Sequence, residues 1–458
     1  MTRKKPLFLG FLFITLLSTQ IFASFSWATS DPPNRSGPRS KHCPPSSKSW
    51  YERVETELGG HLKVRGTASW PDDESIFQPV GTGTYYDGNM EGRLKNSLFF
   101  GKWGYLETHY EAVLSGGDTR RKSKQLERLF PHLLEDDLLQ ARPIEDDRRF
   151  MDLTKTIDED DDYILYHRLD RLALTLLPSW GVVRIGRQAV TWGNGLLFNP
   201  MDLFNPFAPT DIERDYKVGD DMVFTQFSAN EIGDVQFLVV PRRNPSNGEI
   251  ESDQSSAGGK LHFPYGTSEF DVMMGTHYKD TVAGFGGTGY LWDAAWRFDV
   301  TWTQLDENSR KDGYLSLVVN MDYSWGWWGK NFYGFVESYY NGLGDDEYGE
   351  AFTDPGISER LDRGELFTLG RIYLAGHVQI ELHPLLNVFF TVINNLEDPS
   401  GIFQPYATWD ITQDIQITLG GNIFYGGTGT EYGGFKMPGS EFMIEPAHSA
   451  FLWINYYF

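Results

Sequence analysis

From about residue 60 onward the chain alternates apolar and polar positions with a period of two. In 411–425, Ile411, Ile415, Ile417, Leu419 and Ile423 fall on one face, and Thr412, Asp414, Gln416, Thr418 and Asn422 on the other. In 366–380, Leu366, Ile372, Leu374, Val378 and Ile380 face one way, and Arg371, Tyr373, His377 and Gln379 the other. That period belongs to strands with one apolar and one wet face. It predicts strands at 60–70, 91–100, 104–115, 162–177, 181–190, 218–229, 233–241, 257–264, 268–278, 285–292, 295–305, 313–324, 331–340, 362–380, 385–394, 402–410, 415–425 and 447–458.

The links between them alternate. Short ones fall at 101–103, 178–180, 230–232, 265–267, 293–294, 325–330, 381–384 and 411–414. Long ones fall at 71–90, 116–161, 191–217, 242–256, 279–284, 306–312, 341–361, 395–401 and 426–446. The count is eighteen, with sixteen as the alternative; a closed antiparallel barrel of one chain needs an even number. The expected fold is therefore all-β, a transmembrane antiparallel barrel with short periplasmic turns and long external loops. Trp103, Trp180, Trp292, Trp325, Trp327, Trp328 and Trp409 lie in or beside the predicted short turns, as an aromatic girdle at one membrane edge would. A polar inner face along eighteen strands implies a wet lumen.

The two ends agree with this. Arg3, Lys4 and Lys5 precede an apolar run, Leu7 to Leu17, and the small residues Ser26 and Ala28. This predicts a signal peptide, 1–28, too short in its apolar part for a membrane helix. Residues 29–57 are rich in Pro and Ser and are expected to form a periplasmic tether, with the barrel at 58–458. Phe458, Tyr456, Ile454, Leu452 and Ala450 close the chain as a period-two row. Phe458 and Tyr456 are the expected assembly signal, for which the barrel-assembly machinery would be the partner. No apolar run of membrane-helix length follows the signal.

Charge narrows the partners. Removing the three signal cations from the formal −23 leaves about −26. Such a charge argues against nucleic acid. The expected surroundings are outer-membrane lipid and lipopolysaccharide of a Gram-negative cell, and the expected cargo small polar solutes. A monomer and a homotrimer both fit the sequence. Cys43 is the sole cysteine, which precludes an intramolecular disulfide. No cofactor or metal site is expected. Asp158-Glu159-Asp160-Asp161-Asp162 lacks the spacing of a calcium loop and reads as a solvated loop in preference to a weak calcium site.

One stretch stands apart. Gly186-Arg187-Gln188 ends a strand, Trp192-Gly193-Asn194-Gly195 breaks it, and Asn199-Pro200 and Asn205-Pro206 punctuate the chain beyond the break. This link, 191–217, joins the fifth and sixth predicted strands and is expected to fold into the lumen. Trp192, Phe198, Leu203, Phe204 and Phe207 would pin it to the wall. Asp202, Asp211, Glu213 and Asp215 would supply negative charge, faced by Arg168, Arg171 and Arg184. Opposed charges across a narrow gap filter ions and orient dipolar solutes. Gln188 shares the wet face with Arg184. Arg187 has the wrong parity; either a bulge at Gly186 re-aims it or it snorkels at the rim.

General porins resemble this arrangement in the inward folding of the link between their fifth and sixth strands. The run Arg168-Leu169-Asp170-Arg171, Gly186-Arg187-Gln188, Trp192-Gly193, Asn199-Pro200-Met201-Asp202 and Asn205-Pro206 also resembles a family of porin-like outer-membrane proteins of the alginate-export type. The resemblance implies an outer-membrane channel and carries no catalytic residue.

The expectation is a channel for passive diffusion of small polar or charged solutes, narrowed by 191–217, with an export or polysaccharide conduit as the alternative. A barrel enzyme or an adhesive barrel is the reading from another class. An enzyme would need a nucleophile beside a His and an acid. His109, His167, His277 and His377 are the candidates, but no Gly-x-Ser-x-Gly or His-Glu-x-x-His is present.

Overall fold

The computed structural model describes residues 54–130, 146–228, 233–306, 311–352, 354–436, 438 and 442–458. The expected signal peptide, and the tether up to residue 53, lie outside them. So does the whole of the expected turn at 230–232.

The elements run in chain order as β1 (Val54–Trp70), β2 (Tyr85–Phe100), β3 (Gly104–Gly117), α1 (Asp118–Leu129), β4 (Thr154–Glu159), β5 (Tyr163–Leu176), β6 (Gly181–Gln188), β7 (Asp220–Ser228), β8 (Asp234–Val240), β9 (Ser256–Tyr265), β10 (Ser268–His277), β11 (Asp280–Leu291), β12 (Ala294–Gln304), β13 (Gly313–Trp327) and β14 (Lys330–Asn341). They continue as α2 (Tyr348–Phe352), α3 (Pro355–Asp362), β15 (Ile372–His383), β16 (Leu386–Asn395), β17 (Ser400–Asp410), β18 (Ile415–Tyr425), β19 (Phe435–Lys436), β20 (Met443–Ile444) and β21 (His448–Tyr457). Setting aside β4, β19 and β20, each strand pairs antiparallel with the next. The wall closes where β21 returns to β1, from His61 opposite Tyr457 to Trp70 opposite His448. The barrel has eighteen strands.

Period-two patterning places the apolar set outside. On β13, Val319, Met321 and Tyr323 are exposed while Val318 and Asn320 are buried; on β21, Leu452, Ile454 and Tyr456 are exposed while Phe451 and Asn455 are buried. In water such a row of exposed aliphatics would be a liability, whereas against lipid it is the stable face. Trp103, Trp180, Trp292, Trp327, Trp328 and Trp409 are likewise exposed, in or beside the short turns.

Three expectations about the elements are corrected. The strand expected at 362–380 begins only at Ile372. Asp354 caps α3 by accepting the Gly356 N–H at 2.8 Å, and Pro355 occupies its first position, so this segment starts a helix. Leu366 consequently lies in an external cap with Leu343, Tyr348, Ala351, Ile357 and Leu369, away from lipid. Second, the long external link expected at 279–284 is a two-residue turn, because His277 pairs with Asp280 and Tyr278 takes a positive φ of 53°. Third, the link at 116–161 carries structure of its own. It contains α1 and β4, and Arg120 and Arg128 of α1 bind Glu159 and Asp161 at 2.6 Å. The acidic run is thus paired with a helix, and the solvated-loop reading is amended to that extent.

The wall is incomplete above β6 and β7. β5 pairs with β6 only over Leu172–Leu176, and the β6–β7 ladder ends at Gln188 and Asp220. Above that level the chain turns inward. The gap is filled by residues 146–159: β4 takes the free edge of β5 from Ile164 to Arg168, and Arg149 bridges to Arg242 beyond β8.

Candidate functional site: the loop-filled lumen

The chain from Ala189 to Gly219 makes a circuit of the lumen. At its start, the Trp192 indole N–H donates to Gln236 Oε1 on β8 at 2.8 Å. Its ring is 2% exposed and packs with Met201 and Phe204 against Met222, Phe224, Leu238, Val240, Met273 and Val282. Each large side chain so buried contributes about 1.5–3 kcal/mol. Asn194 then docks on β12. Its backbone N–H reaches Asp299 Oδ2 at 2.6 Å, and its amide reaches Asp299 Oδ1 at 2.8 Å. Gly286 makes room: a Cβ there would come within 2.2 Å of Asp299 Oδ1 and 2.9 Å of Asn194 Nδ2.

The loop next crosses to β14. The backbone N–H groups of Leu196, Leu197 and Phe198 all donate to the Glu337 carboxylate, at 2.7, 2.9 and 2.7 Å. Asn320 on β13 donates to the same carboxylate at 3.0 Å. Phe198 stacks on Tyr339 with centroids 4.5 Å apart and tilts against Tyr373 of β15. The return leg runs along the remaining wall. Gln404 on β17 donates to the Thr210 carbonyl at 2.9 Å. Glu213 meets Lys63 and Arg65 on β1, and the Tyr457 hydroxyl donates to Asp215 at 3.2 Å. Tyr216 accepts from Lys95 on β2 and lies under Arg93, 4.6 Å from ring centroid to guanidinium.

The inner wall of β1, β2, β3 and β5 is a field of charge. Lys63, Arg65, Arg93, Lys95, Arg168 and Arg171 supply the cations. Arg93 binds Asp170 at 2.8 Å and Glu111 at 3.2 Å, Arg168 binds Glu111, and Arg171 binds Asp170 at 2.8 Å. His61 and Glu91 meet at 2.8 Å. The β5 members face one way because Asp170 is a bulge. Arg171 stands opposite His109 while Leu169 stands opposite Tyr110, so Arg168, Asp170 and Arg171 all turn inward.

Above the loop lies a vestibule of about 1590 Å³. Lys63, Arg65, Arg93 and Arg168 line one side, Pro206 to Glu213 the floor, and Ser358 to Glu365 of the external cap another side. Gln404, Asn422, Ser449 and Trp453 line a further, uncharged side.

The residues expected in a constriction divide into groups. Arg168, Asp211 and Glu213 border the vestibule. Asp215 is exposed and bonded to Tyr457. Trp192, Gln188 and Arg187 are buried. Arg171 is buried against Asp170 and the Lys217 carbonyl, and Arg184 bonds Thr175 at 3.3 Å. Asp202 is not a free lumen charge. It is buried, and Lys217 reaches its two oxygens at 2.5 and 2.6 Å. Burial pushes the Asp202 carboxyl up to about 6, which Lys217 offsets only in part. Of the expected loop carboxylates, Glu213 pairs with Lys63 and Arg65 of the wall, while Asp202 pairs with Lys217 of the loop itself. Lys63, Arg65, Arg93, Lys95 and Glu337 join the site without having stood out in the sequence.

Arg187 neither snorkels nor depends on a register bulge, since the β5–β6 and β6–β7 ladders run unbroken through Gly186. Gly186 instead takes a φ of 121°, where a side chain would be strained. Arg187 is 0% exposed and binds Asp221 at 2.9 Å, Asp146 at 3.0 Å and the Met151 carbonyl at 2.6 Å. It joins the tops of β6 and β7 to the inserted wall segment.

One histidine does find a hydroxyl and an acid. Ser256 Oγ lies 3.0 Å from His277 Nδ1, and His277 Nε2 lies 2.9 Å from Glu365 Oε1. Ser256 is 2% exposed, and Arg242 donates to its oxygen at 2.6 Å. Ser256 is not among the residues that line the vestibule, whereas Arg242 and Glu365 are. The relay ties the external cap to β9 and β10.

A closed, even-stranded barrel with an apolar belt, exposed tryptophans at its short turns and a charged lumen has one habitat. The chain is a bacterial outer-membrane β-barrel. No family model and no curated protein matches it, so the alginate-export likeness stays a resemblance. Among solved structures it is similar to OccK5 (OpdH) of Pseudomonas aeruginosa, 9% identical, covering 88% of this chain and 98% of that one, with a TM-score of 0.49. It is similar also to OccAB1 of Acinetobacter baumannii, 9% identical over 90% and 98% of the two chains, with a TM-score of 0.47. A third is Wzi of Escherichia coli, a carbohydrate-binding β-barrel involved in group 1 capsule assembly, 11% identical over 88% and 84%, with a TM-score of 0.47.

Proposed function

We propose that the barrel is an outer-membrane channel for passive diffusion of small polar or charged solutes, with residues 189–219 as its constriction and the vestibule as its outer mouth. The observation that carries this is the circuit of the loop. It is seated on the wall from Trp192 on Gln236, through Leu196–Phe198 on Glu337, to Glu213 on Lys63 and Arg65. A loop anchored at so many points favours a fixed aperture over the swinging gate that an export conduit for a polymer would need. Arg168, Asp211 and Glu213 are the members of the expected set that border the route; Arg184 and Asp215 would act from its margins.

The test is single-channel conductance of the refolded protein in a planar bilayer, with the reversal potential read in a salt gradient. Stable steps are expected. A folded, inserted protein that gave none would overturn the channel reading and favour a closed, ligand-holding barrel.

A further inference from the structure

Away from the charged sector of β1 to β5, the inner wall carries rings. The ladders of β14 to β21 set Phe335 opposite His377 and Phe389 opposite Tyr406, and place Tyr406 and Phe451 on either side of Gly420. Strand parity turns these side chains inward, since the chain neighbours Val336, Phe390 and Leu452 are the exposed, lipid-side positions. The rings meet in sequence. Phe335 stacks on His377 with centroids 5.0 Å apart, His377 lies 6.0 Å from Phe389, Phe389 stacks on Tyr406 at 4.4 Å, and Phe451 stacks on Trp453 at 4.8 Å. Gly420 lets the two halves join: a Cβ there would come within 2.5 Å of Tyr406 Cβ and 2.6 Å of the Phe451 ring. Five strand spacings of ~4.8 Å make this belt roughly 24 Å long.

The belt passes the loop. Phe451 and Trp453 border the vestibule. Phe335 and Tyr406 lie one inward position nearer the short turns than Glu337 and Gln404, which hold the loop. The rings therefore lead from the vestibule to the far side of the constriction. Their polar neighbours are neutral. Gln404 donates to Asn422 at 2.8 Å and Asn422 to Ser449 at 3.1 Å, all three on the vestibule side. Gln379 and Asn387, bonded at 3.2 Å, flank the belt on the other side. On the inward positions of β15 to β18, carboxylates appear only at Glu381 and Asp410, beside the short turns, and lysine and arginine do not appear.

We propose that this belt is a binding track for neutral sugars, short linear oligosaccharides of hexose units, which enter from the vestibule and pass the edge of the loop with their ring faces on the aromatic side chains. A pyranose carries C–H bonds on its faces and hydroxyls at its rim. The faces match half-buried aromatic rings, and the rim matches the amide and hydroxyl groups beside them. An ionic solute finds no counter-charge along this sector. An uncharged aromatic solute would stack as well, but would leave those polar groups without partners. The track names a solute class for the proposed channel and rests on that reading for its physiological meaning. Binding to the belt does not require conduction.

The probe is maltotetraose, a neutral linear tetramer of glucose. Its binding to the refolded protein is measured by equilibrium dialysis of the radiolabelled sugar, with the unheated gel shift of a folded barrel as the control. Tyr406→Ala and Trp453→Ala should each weaken binding about tenfold. Tyr406→Leu and Trp453→Leu keep apolar volume, cover the case in which the Ala variants do not fold, and should weaken binding as much. Tyr406→Phe should bind like wild type. A folded wild type that does not bind the tetramer, or Leu variants that bind it as tightly as wild type, would overturn the proposal. Benzyl alcohol competing for the belt as tightly as the tetramer binds would overturn the assignment to sugars. Sugar binding with this dependence but without conductance would sink the channel reading and leave the belt standing. Stable conductance without sugar binding would sink the belt alone.

Discussion

The carboxylate of Glu337 accepts the backbone N–H of Phe198 at 2.7 Å, and those of Leu196 and Leu197 beside it. One wall residue thus satisfies three consecutive donors of a loop that enters the lumen nearly 140 residues earlier in the chain. A turn of chain buried in a lumen has few other acceptors, and each buried donor left unmet costs about 1–3 kcal/mol. Glu337→Ala is therefore expected to unseat residues 194–199 while the ladder of β13 and β14 survives. Single-channel recordings should show larger and noisier open levels, and amide exchange at Leu196–Phe198 should quicken. Slow exchange at those three amides in the variant would show that stacking on Tyr339 suffices.

The external cap carries an acid-sensitive latch. Burial would raise the Glu365 carboxyl, but His277 and Arg363 outweigh it and hold it well below the ordinary carboxylate range. A carboxylate whose pKa is depressed on folding adds stability that is fully present above its unfolded value, here 4.5, and drains away as pH falls below that. The cap, residues 342–371, should resist protease at about pH 7 and become cleavable at about pH 3. Glu365→Gln should be susceptible at both. A cap equally resistant at both pH values in wild type would show that Glu365 does not act as a latch.

The barrel was legible because its code is local. Leu419 and Ile423 against Thr418 and Asn422 state the two faces of a strand without help from any other segment. The loop was legible from its punctuation, Trp192-Gly193-Asn194-Gly195 and the Asn-Pro steps. Part of the charged wall was within reach: His61, Lys63 and Arg65 alternate with Leu62 and Val64 in a stretch of strand period, and their parity names them as inward. The cap of α3 is also written in Asp354-Pro355, although the apolar period after it speaks for a strand. What no local pattern contains is pairing at a distance. Arg168 and Arg171 share a face only through the bulge at Asp170, whose cause lies in the register with β3. Asp202 looks like a pore charge until Lys217 is seen beside it, and Glu337 looks like any inward carboxylate.

The Asp202–Lys217 pair is expected to behave as a buried pair with more desolvation than attraction. Burial lowers the Lys217 ammonium just as it raises the Asp202 carboxyl. Removing one partner leaves a lone buried charge, at a cost of about 3–5 kcal/mol, whereas replacing both by apolar groups of similar volume is often neutral. Asp202→Leu alone should lower the thermal midpoint sharply, and Asp202→Leu with Lys217→Met should recover most of it. If the double variant is as unstable as the single, the pair is a net source of stability and attraction exceeds desolvation.

Arg187 connects a diverted strand to its replacement in the wall. Sending 189–219 inward removes the upper halves of two strands, and 146–159 fills the opening. That insert has backbone pairing at both flanks, with β5 through β4 and with Arg242 through Arg149. Over the tops of β6 and β7 its links run through side chains: Arg187 with Asp146, Asp221 and the Met151 carbonyl, and Asp221 accepting the Met151 N–H at 2.7 Å. Arg187→Ala leaves Asp146 and Asp221 buried without their shared cation, a loss of about 3–5 kcal/mol for a broken buried pair. The damage should stay local. Amide exchange at Met151 and Leu153 should quicken, exchange in β13 and β14 should not change, and conductance should rise by a path around the loop. Met151 and Leu153 amides as slow as in wild type would show that the flanking ladders hold the insert alone, and Arg187 would lose its place as the residue that seals the wall.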